Sequence, residues 1–198
     1  MTTSTPDLSA LIGSRICHDL ISPLGAIGNG VELLAMSLPP SPELDLVSES
    51  VANAQARIRM FRLAFGAADA EARIAGRELA GILDGLGRGG KLRFEWSLPD
   101  DLPRREAKLL LLIVQCCESA MAWGGTVSIR HDGEGAVIEA QAQRLRLEPE
   151  LWEPLARGEA PEAPRAAAVH FAIIPGLLAE TGRQLMLETS PESLRFSF

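Results

Sequence analysis

Between Leu8 and Leu38, apolar residues recur at Leu8, Ile12, Ile16, Leu20, Leu24, Ile27, Val31, Leu34 and Leu38. At about 100° per residue these positions keep to one stripe, so the spacing predicts a single amphipathic helix of about 30 residues. Thr5-Pro6-Asp7 supplies its start, a capping hydroxyl followed by proline in the first turn. The stretch "LPPSPE" (Leu38–Glu43) breaks the helix, and Ser41-Pro42-Glu43 restarts a second one in the same way. There Leu44, Val47, Val51, Ala54, Ile58, Phe61 and Phe65 follow one another in alternating steps of three and four, a coiled-coil-like row. Two long helices joined by a short turn make an αα-hairpin. A lone hairpin cannot hide a full apolar face, and dimerisation into a four-helix bundle is the natural solution, with Val51, Ile58, Phe61 and Phe65 in the dimer core.

Past "FGAADAEARIAG" the pattern changes, which places a boundary near residues 68–76 and divides the chain into residues 1–70 and 76–198. Glu78–Leu86 reads as a short helix and Gly87–Gly90 as a turn, and "KLRFEWSL" alternates Leu92, Phe94, Trp96 and Leu98 as a half-buried strand does. Pro103 opens a helix reaching Ala122, whose "LLLLIV" centre must be buried; "TVSIR" and "GAVIEAQ" flank "HDGEG" as a hairpin. "PRAAAVHFAIIPGLLAETG" is a helix with a bend at Pro175 and an end at Gly182, after which "RQLMLET", a "SPES" turn and "LRFSF" give two strands. Trp96, Trp123 and Trp152 are too scattered for a stacking platform, His131 reads as a turn residue, and His170 packs in or beside a helix. "EPELWEPLARGEAPEAP" reads as a solvated, mobile connection. The fold class is therefore α+β, a long helical hairpin followed by helices on an antiparallel-rich sheet.

Composition narrows the functions. At 198 residues the chain has enough material for a real core, and 46% hydrophobic with 23% charged residues is ordinary for a soluble globular protein. A net charge of −7 without a Lys/Arg cluster argues against nucleic acid or an anionic membrane as partner. Three cysteines, two of them adjacent at Cys116 and Cys117, suit a reducing compartment better than a disulfide framework or a metal site. The N-terminus lacks the features of a signal peptide, and no continuous apolar run approaches the ~20 residues of a membrane span. A cytoplasmic protein is expected.

The candidate chemistry lies in "ICHDLISPLGAIGNGVELL", Ile16 to Leu34. An interior proline costs a helix roughly 3 kcal/mol and each glycine about 1 kcal/mol, yet this segment holds Pro23, Gly25, Gly28 and Gly30. On a helical wheel His18 lies opposite the apolar stripe, facing water. Ser14, Ser22, Gly25 and Asn29 fall within roughly 40° of it, next to Leu11 and Ile21. The side chains around the imidazole are therefore small, which lets another protein surface or a phosphoryl group come close. Gly25 serves this access, whereas Gly30 points nearer the stripe and suits close helix packing. Pro23 removes the hydrogen bond to the carbonyl of Asp19, so a bend is expected after the His-Asp pair. No second histidine stands at i+4, which leaves a metal-ligand reading weak. Arg15 reads either as a contact for a phosphoryl group or acidic partner rim, or as a solvated surface residue.

His18-Asp19-Leu20 followed by Pro23 resembles the H-[DE]-x-x-P motif of histidine kinase dimerisation domains. The longer stretch, with "RIRMFRLAFGAA" closing the second helix, is similar to the ChpT-type bacterial histidine phosphotransferases. The resemblance implies a histidine-kinase-ATPase-like α/β sandwich after the hairpin. It also implies a relay in which neutral His18 attacks an aspartyl phosphate on a receiver domain and passes the group to a second receiver. An imidazole of ordinary pKa, about 6.5, has a free nucleophilic nitrogen at neutral pH. Asp19, by analogy with the motif's acidic residue, hydrogen-bonds or polarises the ring. The implied partners are a second copy of the chain, the receiver domain of a hybrid histidine kinase and that of a downstream response regulator. The chain needs no cofactor of its own, and the Mg²⁺ that neutralises the moving charge would sit on the receiver.

True kinases also hold ATP, through an Asn-rich helix and Gly-rich boxes. Here the helix reads "LLLIVQCCESAM", with Gln115 and Glu118-Ser119 where asparagines are expected, and neither D-x-G-x-G nor G-x-G-x-G follows. "HDGEG" at residues 131–135 comes too early in the order and reads as a turn. No nucleotide site is expected, which disfavours the rival reading of an autophosphorylating kinase. A second rival, a kinase-like dimeric scaffold or inhibitor, would leave the histidine unused.

Overall fold

In a computed structural model, residues 8–67 and 71–198 are described. The predicted helix start at Thr5-Pro6-Asp7 lies outside them. Helix α1 (Leu8–Ser37) runs unbroken through Pro23, and α2 (Pro42–Phe65) returns alongside it. The start of α2 has the predicted chemistry: the Ser41 hydroxyl accepts from the Leu44 N–H at 3.2 Å, and Pro42 stands in the first turn. Gly66 closes α2 by donating its N–H to the Arg62 carbonyl at 3.1 Å.

Next come β1 (Arg73–Ala75), α3 (Gly76–Gly87), β2 (Leu92–Ser97), β3 (Asp101–Pro103) and α4 (Arg104–Ala120). Strands β4 (Gly125–His131) and β5 (Ala136–Gln141) form the expected hairpin. Helix α5 (Pro149–Ala156), a 3₁₀ turn (Ala166–Ala168), α6 (Val169–Thr181), β6 (Met186–Thr189) and β7 (Ser193–Ser197) complete the chain. The main sheet has the order β2-β4-β5-β7-β6, with β2 parallel to β4 and every other pair antiparallel. Helix α6 ends as predicted at Gly182, whose φ of 67° is left-handed; Arg183 N–H reaches back to the Leu178 carbonyl at 3.1 Å, a Schellman closure.

One face of the sheet is buried. Val127, Ile129, Ile138, Ala140, Leu194 and Phe196 alternate inward into the core that α4 occupies. On the open face one register row runs Glu95, Ser128, Glu139, Arg195, Glu188, and Arg130 and Arg195 both pair with Glu139. Helix α4 is buried nearly all round, Leu109 to Val114 without any exposed side chain, because it lies between the sheet, α6 and α2. The core also takes in Ala56, Met60, Leu63 and Ala64 of α2, so the hairpin and the α/β layer share one interior.

Several expectations need correction. "EPELWEPLARGEAPEAP" is not a mobile connection throughout: α5 lies within it and buries Leu151, Trp152 and Leu155, with the Trp152 ring edge-on to Phe171 at 5.3 Å. Acidic residues dominate that segment's composition, but its apolar residues fall on one helical face. The short pair β1–β3, three residues each, was not foreseen; strands so brief have no readable alternation. His131 is the last residue of β4 rather than a turn residue. Its side chain is buried, and Nε2 lies 2.8 Å from Glu106 Oε2. Gly133 N–H donates to Nδ1 at 3.0 Å, so Nε2 carries the proton that meets the carboxylate, and Arg183 Nε donates to the other oxygen at 3.2 Å. Gly30, read as a packing glycine, faces open space, whereas Gly28 is buried: a Cβ there would stand 2.5 Å from Gln55 Nε2.

Candidate functional site

The hairpin's two helices meet along a row of mostly small residues on α1. Ala10, Cys17, Gly28 and Val31 are buried, and Gln55 Nε2 donates to the Leu24 carbonyl at 3.3 Å. This row shares only Val31 with the long apolar stripe. Leu8, Ile12, Ile16, Leu20, Ile27 and Leu34 of the stripe remain exposed in the single chain. Helix α1 is long and apolar enough, by length and composition alone, to cross a membrane, although no continuous apolar run stood out in its sequence. Its third face, however, carries Arg15, His18 and Asp19, which makes it amphipathic rather than uniformly apolar.

His18 lies on that third face with its side chain 79% exposed. Its Nδ1 is 3.2 Å from Asp19 Oδ1, while Asp19 Oδ2 is 2.9 Å from Arg15 Nε one helical turn back. The hydrogen bond from His18, with the Arg15 charge adding to it, holds the Asp19 carboxyl below its ordinary range, so the group is an ionised acceptor at neutral pH. An ionised carboxylate can only accept, and Nδ1 must therefore carry the proton. In the neutral ring that leaves the Nε2 lone pair free and facing solvent.

The other residues expected near His18 separate into two groups. Leu11, Ser22 and Asn29 are exposed with it; Gly25 is half-buried, but a Cβ added there would meet nothing within 4 Å. Ser14 and Ile21 are half-buried at the border with the hairpin seam, and the Ser14 hydroxyl lies beside Gly66. Of the residues assigned to a dimer core, Val51 packs beside Gly28, and Phe61 and Phe65 lie partly against the shared interior, their rings 5.8 Å apart. Ile58 is half-buried. The most buried face of α2 is instead Ala56, Met60, Leu63 and Ala64, a face lying beside the coiled-coil-like row rather than on it.

A polar cavity of about 730 Å³ lies between α2, the 87–91 turn, α4 and α6. Gln115, Glu118 and Ser119, standing where a kinase would carry asparagines, line it and are engaged within the chain. Arg57 Nη2 donates to Glu118 Oε1 at 3.1 Å, Ser119 Oγ donates to the Gln115 carbonyl at 2.9 Å, and His170 Nε2 lies 3.3 Å from the same hydroxyl. Burial lowers the His170 pKa to about 4, so this imidazole is neutral. The "HDGEG" segment is a closed turn: the Asp132 carboxylate accepts from the Glu134 and Gly135 N–H groups at 2.9 and 3.0 Å, which lowers its pKa. Among the described residues no group of three or more His, Cys, Asp or Glu side chains could hold a metal ion.

Comparisons with known proteins bear on the family. Residues 76–193 match the model of the histidine phosphotransferase C-terminal domain. A curated relative, Protein phosphotransferase ChpT of Brucella abortus (strain 2308), is 34% identical over 206 aligned positions spanning 100% of this chain and 97% of the relative. A solved structure described as a bacterial phosphotransferase is 33% identical, with 100% of this chain and 98% of that one covered at a TM-score of 0.67. With the domain model covering more than half the chain and the relatives covering all of it, the chain belongs to the histidine phosphotransferase family.

Proposed function

We propose that this chain relays a phosphoryl group between receiver-domain aspartates through phospho-His18, as a cytoplasmic homodimer in a multistep phosphorelay. The observation that carries the reading is the exposed imidazole with Nδ1 held by Asp19 and Nε2 open. In the first half-reaction the Nε2 lone pair attacks the phosphorus of a receiver's aspartyl phosphate. The P–N bond forms as the P–O bond breaks, and the receiver's carboxylate leaves with the electron pair. The Nδ1 proton stays in place, hydrogen-bonded to Asp19, whose carboxylate offsets the positive charge the ring acquires. In the second half-reaction another receiver's carboxylate attacks phosphorus and the electron pair of the P–N bond returns to Nε2. Mg²⁺ on the receiver supplies the cation that this charge movement needs.

The partners follow from this chemistry: the receiver of a hybrid histidine kinase as donor and that of a response regulator as recipient. Leu11, Ser14, Ile21, Ser22, Gly25 and Asn29 form the surface on which they dock. The exposed stripe Ile12, Ile16, Leu20, Ile27 and Leu34 supports a second copy as its cover, since apolar area of that extent is rarely left to water.

Incubation with a radiolabelled phospho-receiver tests the reading. Label is expected on the wild type and absent from His18→Ala, whose dimer should survive because the ring touches neither the stripe nor the seam. Labelling that persists in His18→Ala would overturn the assignment, and robust incorporation from labelled ATP alone would make the protein a kinase.

A further inference from the structure

Arg15 and Asp19 stand one turn apart on a solvent-facing helix, an arrangement that is usually a minor stabiliser. Two features set this pair apart. The cation precedes the anion along the helix, the less favourable order for helix stability. The two carboxylate oxygens also have different partners: Oδ2 takes Arg15 Nε at 2.9 Å and Oδ1 faces His18 Nδ1 at 3.2 Å. Arg15 and Asp19 side chains are 74% and 51% exposed, so neither is fixed there by packing.

The placement creates a problem that the pair itself answers. A carboxylate next to His18 orients the ring, but it also repels the phosphoryl group that must approach the same imidazole. A guanidinium bonded to the far oxygen removes most of that repulsion and restrains the carboxylate rotamer. The charged groups acting on Asp19 are Arg15 and His18. Arg62, close enough to Cys17 to act on its thiol, faces Glu78 at 3.8 Å.

We propose that Arg15 is a positioning residue for the transfer: it neutralises and steadies the Asp19 carboxylate, so that Asp19 can hold His18 Nδ1–H without repelling the incoming phosphoryl group. No bond to Arg15 forms or breaks, and its effect on His18 passes through Asp19. The inference rests on the relay reading above and goes beyond it by giving Arg15 a role distinct from receiver docking.

A double-mutant cycle with Arg15→Ala, Asp19→Asn and the double variant tests it, read as single-turnover transfer from a phosphorylated receiver across receiver concentrations. Arg15→Ala is expected to slow the saturating rate about tenfold, with the half-saturating concentration unchanged. In the Asp19→Asn background, where no negative charge needs neutralising, Arg15→Ala should have little further effect. Arg15→Lys, which keeps the charge and loses the fork, should recover part of the rate. Equal losses in both backgrounds, or a loss confined to the half-saturating concentration, would make Arg15 a docking residue and overturn the proposal. An unchanged Arg15→Ala rate would overturn it too. These outcomes leave the relay intact, whereas a wild type that takes no label, or a His18→Ala that does, removes the relay and not this inference alone.

Discussion

Helices α1 and α4 are the two most conspicuous apolar stretches of the chain, and the fold treats them in opposite ways. Helix α4 buries twelve of its seventeen residues, Leu109 through Val114 without remainder. Helix α1 buries four of thirty, and three of those are Ala10, Cys17 and Gly28. Helix α4 is enclosed by neighbours of its own chain, while α1 meets one neighbour through small side chains and leaves its large ones in water. A region built for internal stability uses apolar residues on every side. A region built for meeting other molecules divides its surface, with one face for α2, one apolar stripe and one polar face presenting His18.

This contrast can be broken by substitution. In α4, Leu111→Ala should cost about 2–5 kcal/mol of stability in denaturant melts, because a fully buried leucine leaves a cavity. Ile16→Ala in the α1 stripe should cost under about 0.5 kcal/mol in a dilute, monomeric sample, since its side chain already faces water. Comparable losses at both sites would end the distinction. Close behind in size, Glu106→Ala should cost about 3 kcal/mol in the same melts, because it strands the buried His131 donor and a partly buried Arg183.

The histidines sharpen the same contrast. His170 protonates at about 4 when folded and near its ordinary 6.5 when unfolded. Between those values the unfolded chain binds more protons, so stability is full above about pH 6.5 and falls as pH drops toward 4, by about 3 kcal/mol from this group. Thermal melts across that window should show a shallower slope for His170→Gln, and an unchanged slope would contradict the buried assignment. His18→Gln, by contrast, removes a side chain that is 79% exposed, and its melting temperature at neutral pH should match the wild type.

Smaller effects probe the α1 surface. Gly25→Ala should leave stability unchanged or raise it by up to about 1 kcal/mol, because its Cβ meets nothing and alanine favours the helix. Transfer assays on the same variant should show a higher half-saturating receiver concentration, since the strip beside His18 would no longer be flat. The paired change Ile16→Asp with Ile27→Asp should leave the monomer folded while light scattering shows loss of the dimer. A variant that still dimerises would place the partner contact elsewhere.

Much of this was legible along the chain because periodicity reports what a helix or strand must hide. Both hairpin helices, the break at Leu38–Glu43, the buried α4, the β4–β5 hairpin and the stop at Gly182 all have local causes, and the structure has them where their residues stand. The outward position of His18 follows from the same arithmetic, being fixed by its angle to the apolar stripe. Less legible are the acidic segment whose composition hides α5, the seam of α1, whose side chains are too small to register as hydrophobic, and the inner face of α2, which lies beside the more regular row.

The sequence by itself determined the two hairpin helices, α3, α4, α6 and the longer strands, together with the solvent-facing histidine and its acidic neighbour, since each depends on spacing within one helix or strand. Only the tertiary structure decided which face of α2 enters the core, that Gly28 rather than Gly30 is the packing glycine, and that His131 is tied to Glu106 across 25 positions. Those outcomes depend on which distant residues arrive opposite one another, and no local period encodes that.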